Sequence, residues 1–209
     1  MRTYVLIGGI GSGKSMVLEM FGGLGAQCID LDAIGHDVLG WPETCRELFE
    51  VFGPDVFDAD GAVNRRALAK RAFASPESTE ALNAITQPRI VQRAQEILDD
   101  LEAQGCPVAV VEISPYAGFG GAFDPLVEGA QGIVAVVAPD EVRVRRAIER
   151  GLPEADVRNR IARQATDDQR RAWADIVVEN DATLEDLRQS VQSAWNSMTS
   201  AADRDILEP

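Results

Sequence analysis

The sequence predicts a three-layer α/β fold with a parallel sheet of about five strands, and three observations favour this class. Short runs such as Val108–Val111 and Ile133–Val137 are continuously apolar, which is typical of parallel strands covered on both faces. Such runs alternate with stretches in which apolar residues recur at helical spacing, and this alternation indicates βαβ units. A length of 209 residues fits a single domain with one core.

The first elements are a strand, a turn, a helix and a second strand. The apolar run Val5–Ile7 is stopped by glycines, and a helix is predicted from Lys14 to Leu24. The second strand, Gln27–Ile29, delivers Asp30 and Asp32 at its carboxyl end. A parallel βαβ unit is the simplest interpretation of this order.

The remaining elements are helices followed by three further strands. A helical insertion is predicted from Ala33 to Gln104, where proline and glycine turns separate several helical periods. Strands are predicted within residues 106–113, 132–138 and 175–178. Thr183 is expected to open a last helix as its N-cap, with Asp186 three residues further on. The tail 200–209 is expected to be disordered.

The clearest chemical signal is Gly8-Gly9-Ile10-Gly11-Ser12-Gly13-Lys14-Ser15, which fits the P-loop pattern G-x-x-x-x-G-K-[ST]. The glycines allow backbone N–H groups to surround phosphates at the N-terminus of the following helix. Lys14 is expected to reach the β- and γ-phosphates of ATP, and Ser15 to hold Mg²⁺ through its hydroxyl. The residues predicted to bind the nucleotide here are Gly9, Gly11, Ser12, Gly13, Lys14, Ser15 and Met16.

Carboxylates follow two of the predicted strands. Asp30 and Asp32 come at the end of the second strand, where a carboxylate accepts the proton of an attacking hydroxyl or contributes to the Mg²⁺ shell through water. The alternative is that one of the two only caps the next helix. Glu112 ends the third strand and is a candidate for ordering Mg²⁺, or else only caps or pairs locally.

Net charge and cysteine content restrict the kinds of partner and the cellular location that are expected. A net charge of −14 argues against duplex DNA and anionic membranes, since both would repel the chain. No apolar run approaches the ~20 residues that span a bilayer. Three widely spaced cysteines provide neither a disulfide framework nor a zinc motif, and they fit reduced thiols in the cytoplasm. The sequence thus predicts a cytoplasmic protein that binds neither nucleic acid nor membrane.

One segment has the opposite charge from the rest of the chain. Between Arg143 and Arg171, nine arginines stand against five acidic residues, a local balance of +4. A solvated helical face is one interpretation. Beside a P-loop, a phosphate clamp is the other, because a planar guanidinium matches phosphate oxygens in a bidentate fork.

Several segments together resemble the dephospho-CoA kinase family, from about residue 3 to residue 195. Besides the P-loop, the segments that carry this resemblance are Ile29–Val38, Asp60–Leu68, Leu82–Ile90, Arg160–Gln164 and Ala174–Asn180. The resemblance implies a P-loop kinase that transfers the γ-phosphoryl group of ATP to the ribose 3′-hydroxyl of dephospho-CoA. It also implies a nucleotide core (1–31, 105–138 and 174–199), a CoA-binding helical insertion (32–104) and a lid (139–173).

Roles for individual residues follow from the resemblance together with the chemistry of the P-loop and of guanidinium groups. Asp32 corresponds to the general base, and Lys14 to the phosphate-binding lysine of the reaction. In the lid, Arg145 or Arg146 and then Arg160 are expected to contact phosphates. Asn180 is expected to bind the nucleotide, and Ser15 and Glu112 the metal ion.

The sequence also departs from the family pattern. Gln87 stands where the family has a histidine before a proline, and the segment Ser114–Gly120 keeps Pro115 but lacks the P-L-L-x-E run. His36 lies one helical turn from Asp32, and we expect it on the helix surface or facing phosphate rather than acting as a base. Two alternatives remain at this stage: another small-molecule or nucleotide kinase, and a nucleotide-binding regulator without transfer activity. A monomer or a weak oligomer is expected.

Overall fold

The computed structural model describes residues 1–200. These residues form five strands and ten α-helices, with one short 3₁₀ turn at Pro54–Val56. In chain order the elements are β1 (Arg2–Gly8), α1 (Lys14–Gly23), β2 (Gln27–Asp30), α2 (Leu31–Val38), α3 (Pro42–Phe52), α4 (Arg65–Ala72), α5 (Pro76–Ala103), β3 (Val108–Glu112), α6 (Asp124–Glu128), β4 (Gly132–Val137), α7 (Asp140–Glu149), α8 (Glu154–Arg163), α9 (Asp167–Trp173), β5 (Ile176–Glu179) and α10 (Leu184–Ser200).

The five strands form one parallel sheet in the order β2-β3-β1-β4-β5, which confirms the predicted fold class. The register places Glu112, the last residue of β3, beside Leu6 of β1 on one side and Asp30 of β2 on the other. The carboxyl ends of three strands therefore lie side by side. This is the edge of an open parallel sheet at which ligands bind.

Burial explains why the sequences of β3 and β4 are continuously apolar. Every residue of β3 and β4 is buried, because helices cover both faces of the sheet. On one face, Phe21 of α1 and Met198 of α10 pack against alternate residues of the strands, with Trp195 at the edge of the same cluster. On the other face, α6 and α9 lie against the central strands.

The boundaries of the elements agree with the expectations to within a few residues. The predicted first helix ends at Gly23, with Leu24 as its C-cap. The predicted cap of the last helix is confirmed, since the Thr183 hydroxyl accepts a hydrogen bond from the Asp186 N–H at 3.2 Å and Asp186 bonds the Thr183 N–H at 3.0 Å. Helix α6 was not anticipated. Most of the tail predicted to be disordered lies outside the described residues.

Residue contacts divide the chain into two compact units. The first comprises Met1–Asp30 and the chain from Leu98 onward, and it holds the sheet. The second, Leu31–Ile97, is helical and has its own core, built mainly from Leu48, Phe52, Val56, Leu68, Ala72 and Ile85. Helices α7 and α8 of the first unit share a small apolar cluster around Val144 and Val157. No helix in the described part is long and apolar enough to cross a membrane.

Candidate active site

The loop between β1 and α1 is the centre of the site, and its shape depends on glycine. Gly11 has a φ of 73° and Gly13 a φ of 96°, conformations that side chains disfavour. Space is also restricted. A Cβ on Gly11 would lie 2.3 Å from the carbonyl oxygen of Arg143, and one on Gly13 would lie 2.2 Å from Nδ2 of Asn180. Neighbouring elements therefore pack directly against the backbone of the loop.

A buried ion pair lies under this loop. Nζ of Lys14 is 3.9 Å from Oε1 of Glu112, and the two side chains are 8% and 10% exposed. The ammonium also lies 3.5 Å from the carbonyl oxygen of Gly9. The pair joins the first residue of α1 to the last residue of β3. A buried charge without a partner destabilises the folded protein. Removing either group is therefore expected to lower the free energy of unfolding strongly.

The loop is suited to an anionic ligand. Within the described residues, α1 has no side-chain N-cap and no acidic residue in its first turn, so the positive end of its dipole is not neutralised there. The Ser12 hydroxyl is fully buried and has no hydrogen-bond partner among residues 1–200. Ser15 and Met16 are exposed at the start of the helix. These features fit a bound phosphate group with its metal ion.

The two aspartates after β2 occupy different elements. Asp30 is the last residue of β2, whereas Asp32 lies in the first turn of α2; both are exposed. The strand register sets Asp30 opposite Glu112. Asp32 is two residues beyond this point along the chain. Among residues 1–200, no three or more His, Cys, Asp or Glu side chains are grouped so that they could hold a metal ion.

Arg146 and Asn180 hold the glycine loop through hydrogen bonds. Arg146 donates to the carbonyl oxygen of Asn180 at 2.9 Å and to its Oδ1 at 3.1 Å. Asn180 in turn donates from Nδ2 to the carbonyl oxygen of Ser12 at 2.7 Å. Burial lowers the pKa of Arg146, and Arg145 and Arg150 lower it further. The predicted residues Arg146, Asn180 and Ser12 thus form one hydrogen-bonded chain.

The other predicted lid residues are placed differently. Arg145 is exposed on α7, and Arg160 is exposed on α8. Among residues 1–200, neither side chain makes a hydrogen bond or ion pair with the loop. Their assignment to phosphate binding remains a prediction.

Arg143 is the site residue that was not selected from the sequence. It is 1% exposed and is among the largest fully buried side chains. Its Nε donates to the carbonyl oxygen of Ile10 at 2.9 Å. Burial lowers the pKa of Arg143, and the nearby charge of Arg170 lowers it further. A signal was present, because Arg143, Val144 and Ala147 form the buried face of α7 at helical spacing.

The helical unit has an open cleft of about 670 Å³. The cleft is lined by His36, Asp58, Val63, Asn64, Arg65, Arg66 and Ala69. Among residues 1–200, neither Arg65 nor Arg66 has a hydrogen bond or ion pair, whereas Asp58 accepts a hydrogen bond from Asn64 at 2.7 Å. Two guanidiniums and the only histidine of the sequence are therefore available to an anion in this cleft.

Comparison with known proteins identifies relatives along almost the whole chain. The sequence profile described as dephospho-CoA kinase matches residues 3–186. A dephospho-CoA kinase of Corynebacterium glutamicum is 44% identical over 186 residues, which cover 87% of this chain and 90% of that protein.

Solved structures with a similar fold also cover almost the whole chain. The crystal structure of TT1252 from Thermus thermophilus is 33% identical, with a TM-score of 0.76 and coverage of 94% of this chain and 97% of that one. A dephospho-CoA kinase from Campylobacter jejuni is 22% identical, with a TM-score of 0.66 and coverage of 95% and 98%. At that identity the second likeness concerns the fold alone.

Proposed function

The chain belongs to the dephospho-CoA kinase family, and from this premise we propose how its own residues transfer the γ-phosphoryl group of ATP to the ribose 3′-hydroxyl of dephospho-CoA. The reaction is that of an ATP-dependent kinase acting on a hydroxyl group, and its product is coenzyme A. The observation that carries the proposal is the buried pair of Lys14 and Glu112 beneath a glycine loop at the carboxyl edge of a parallel sheet.

The loop and the start of α1 bind the phosphates of ATP. The backbone N–H groups of Gly11, Gly13, Lys14 and Ser15 and the buried Ser12 hydroxyl supply donors, and Lys14 supplies the charge that contacts the β- and γ-phosphates. Ser15 and Glu112 are the residues that would hold Mg²⁺. When bound, this ion neutralises charge on the phosphates.

Asp32 is the proposed general base. A ribose hydroxyl is a weak nucleophile at neutral pH, so a carboxylate that accepts its proton as the bond to phosphorus forms lowers the barrier. Asp32 follows β2 by two residues, and β2 ends in register with Glu112. In the transfer, the 3′-oxygen attacks the γ-phosphorus, its proton passes to the Asp32 carboxylate, and ADP leaves.

Arginines of α7 and α8 supply the remaining positive charge. Arg146 is the strongest candidate, because it already bonds Asn180, which bonds the loop. Arg145 and Arg160 are exposed and are proposed to reach the phosphates from the lid segment 139–173. Charge spreads over the equatorial oxygens during transfer, and guanidiniums placed around them stabilise it.

The open cleft of the helical unit is the proposed binding site for the diphosphate of dephospho-CoA. Arg65 and Arg66 supply cations, and His36 a ring N–H donor, in a space of about 670 Å³. Bidentate guanidinium bonds to phosphate oxygens orient the adenosine end of the substrate. This cleft lies within the predicted CoA-binding insertion.

The cellular setting is part of the same proposal. We place the enzyme in the cytoplasm, where ATP is available and where its three cysteines stay reduced. Cys28, Cys45 and Cys106 are free thiols in the structure. Neither nucleic acid nor membrane is proposed as a partner, and the enzyme is proposed to act as a monomer or a weak oligomer.

The base assignment is tested with Asp32→Asn. We expect kcat to fall by about 10²- to 10⁴-fold because the acceptor proton loses its base, whereas the Kd for Mg·ATP stays within about twofold. The 3′-phosphorylated product is quantified by mass spectrometry, and Mg·ATP binding is measured by calorimetry. Asp37→Asn, an exposed carboxylate in the last turn of the same helix, is the control. Undiminished turnover of Asp32→Asn would refute the assignment.

The acceptor is tested separately with a substrate panel. Dephospho-CoA, nucleoside monophosphates and gluconate are each incubated with ATP and Mg²⁺, and the phosphorylated products are identified. We expect efficient transfer only to dephospho-CoA. Transfer to a monophosphate or to gluconate at a higher kcat/KM would replace the proposed substrate.

A further inference from the structure

We propose that Arg143 and Gln164 are positioning residues that hold Ile10 in the glycine loop and thereby set the affinity for ATP. Both backbone polar groups of Ile10 are bound by these two side chains. The Ile10 N–H donates to Oε1 of Gln164 at 2.9 Å, and the Ile10 carbonyl oxygen accepts from Nε of Arg143 at 2.9 Å. The inference rests on the proposed function only in that ATP binds this loop.

The two side chains also bond each other. Nη2 of Arg143 donates to Oε1 of Gln164 at 3.2 Å, so this single oxygen accepts from the loop and from the guanidinium. Three hydrogen bonds therefore link Ile10, Arg143 and Gln164 in a closed ring. A closed ring of bonds fixes the loop more firmly than the same bonds made independently, because the partners hold one another in place.

Packing adds to these hydrogen bonds. A Cβ on Gly9 would lie 2.0 Å from Nη2 of Arg143, and one on Gly11 would lie 2.3 Å from the Arg143 carbonyl oxygen. The backbone of the loop is thus in direct contact with both the guanidinium and the backbone of α7. The loop cannot move toward α7 unless Arg143 moves.

Arg143 is itself fixed by carboxylates. Its Nη1 is 2.9 Å from Asp140 and 3.7 Å from Asp167. Asp167 also bonds Arg170 at 2.7 Å and accepts from the N–H of Ala138, directly after β4, at 3.1 Å. Gln164 is the C-cap residue of α8. The shape of the loop is therefore tied to α7, to the end of α8, to the start of α9 and to the end of β4.

The directions of these bonds distinguish positioning from direct phosphate binding. Nε and both terminal nitrogens of Arg143 are each directed at a protein acceptor, and the side chain is 1% exposed. Its charge therefore acts through the backbone of the loop. The Ile10 N–H is likewise occupied by Gln164, and the Ser12 N–H by the carbonyl oxygen of Gly9. The N–H groups proposed to receive phosphate are therefore those of Gly11, Gly13, Lys14 and Ser15.

A loop rich in glycine has many accessible conformations, and only a fraction of them bind phosphate. The apparent Kd for a ligand rises in inverse proportion to the population of the binding conformation. If the ring of bonds holds that population near unity, breaking it should weaken Mg·ATP binding by about tenfold. The same change should leave the KM for dephospho-CoA unaffected, because that substrate does not bind the loop.

The test uses Gln164→Met, which keeps the length of the side chain and removes the shared acceptor. We expect the Kd for Mg·ATP, measured by calorimetry without any acceptor substrate, to rise about tenfold. We expect Gln164→Glu to restore it to within about threefold, because the carboxylate keeps an acceptor for both bonds. Gln192→Met, the same substitution at an exposed position of α10, is the control for nonspecific effects. Thermal unfolding of each variant checks that it is folded.

Three outcomes would overturn the proposal. These are wild-type affinity for Mg·ATP in a folded Gln164→Met variant, no rescue by Gln164→Glu, and a rise in the KM for dephospho-CoA as large as that for ATP. Arg143→Lys is a second variant, expected to weaken Mg·ATP binding by a similar factor since it loses Nε. Because ATP binding is measured alone, the result does not depend on the identity of the acceptor.

Discussion

Two pairs of cationic residues, one pair in each unit of the chain, are presented in opposite ways. In the sheet unit, Lys14 and Arg143 are buried and each lies against a carboxylate or a backbone oxygen. In the helical unit, Arg65 and Arg66 are exposed on an open cleft. The first arrangement holds its charges in place before any ligand arrives, whereas the second leaves them to be ordered by the ligand.

This difference has an energetic basis. A buried charge remains charged only if the protein supplies partners for it, so Lys14 and Arg143 have fixed geometry. Such fixed groups suit the transfer of a phosphoryl group, because they need no reorganisation when charge develops. Exposed guanidiniums lose side-chain entropy when they bind, and this suits a substrate that must also be released as product.

Among the tests of this comparison, Lys14→Met is expected to have the largest effect on activity. We expect kcat/KM to fall by about 10³-fold or more, because the variant loses a preorganised charge that contacts the transferring phosphoryl group. The KM for dephospho-CoA should change little. Steady-state kinetics with each substrate varied in turn provides the measurement.

The sequence offers a matched control for that variant, since Lys70 is the only other lysine. Lys70 is exposed in the last turn of α4, and Lys70→Met should keep kcat/KM within about twofold. A Lys14→Met enzyme that retained more than a tenth of its activity would show that the buried charge is dispensable. The proposed difference between preorganised buried charges and exposed charges would then be wrong.

The parts of the site that were predictable from the sequence are those encoded by neighbouring residues. The P-loop needs its glycines, Lys14 and Ser15 within eight consecutive positions, and local chemistry determines their roles. The strands β3 and β4 were predictable because burial on both faces leaves no polar alternation. The cap at Thr183 was predictable for the same local reason.

The contacts that brace the loop could not be predicted in this way. Arg143 reaches Ile10 across 133 positions of the chain, and Asn180 reaches Ser12 across 168. Such contacts depend on strand order, which places β4 and β5 on one side of β1, and no local pattern encodes that order. The arginine-rich segment was identified by composition. Which arginine points inward was decided by the packing of α7.

The double variant Arg65→Gln/Arg66→Gln tests whether the exposed guanidiniums bind dephospho-CoA. We expect the KM for dephospho-CoA to rise by about 10- to 100-fold, since two charge-assisted contacts with the diphosphate are lost. The Kd for Mg·ATP should stay within about twofold. Thermal unfolding should also be nearly unchanged, because neither guanidinium has a hydrogen bond or ion pair among residues 1–200. A larger loss of ATP affinity than of dephospho-CoA affinity would assign these arginines to the nucleotide instead.

The smallest expected effect comes from ionic strength, and it separates exposed from buried charge in the unmodified enzyme. Raising KCl from about 50 mM to about 500 mM shortens the Debye length severalfold and weakens exposed interactions far more than buried ones. We therefore expect the KM for dephospho-CoA to rise by about two- to fivefold in the wild-type enzyme. In the Arg65→Gln/Arg66→Gln variant the same change in salt should have almost no effect on this KM. If the variant keeps the wild-type salt dependence, the charges that attract the substrate lie outside the cleft.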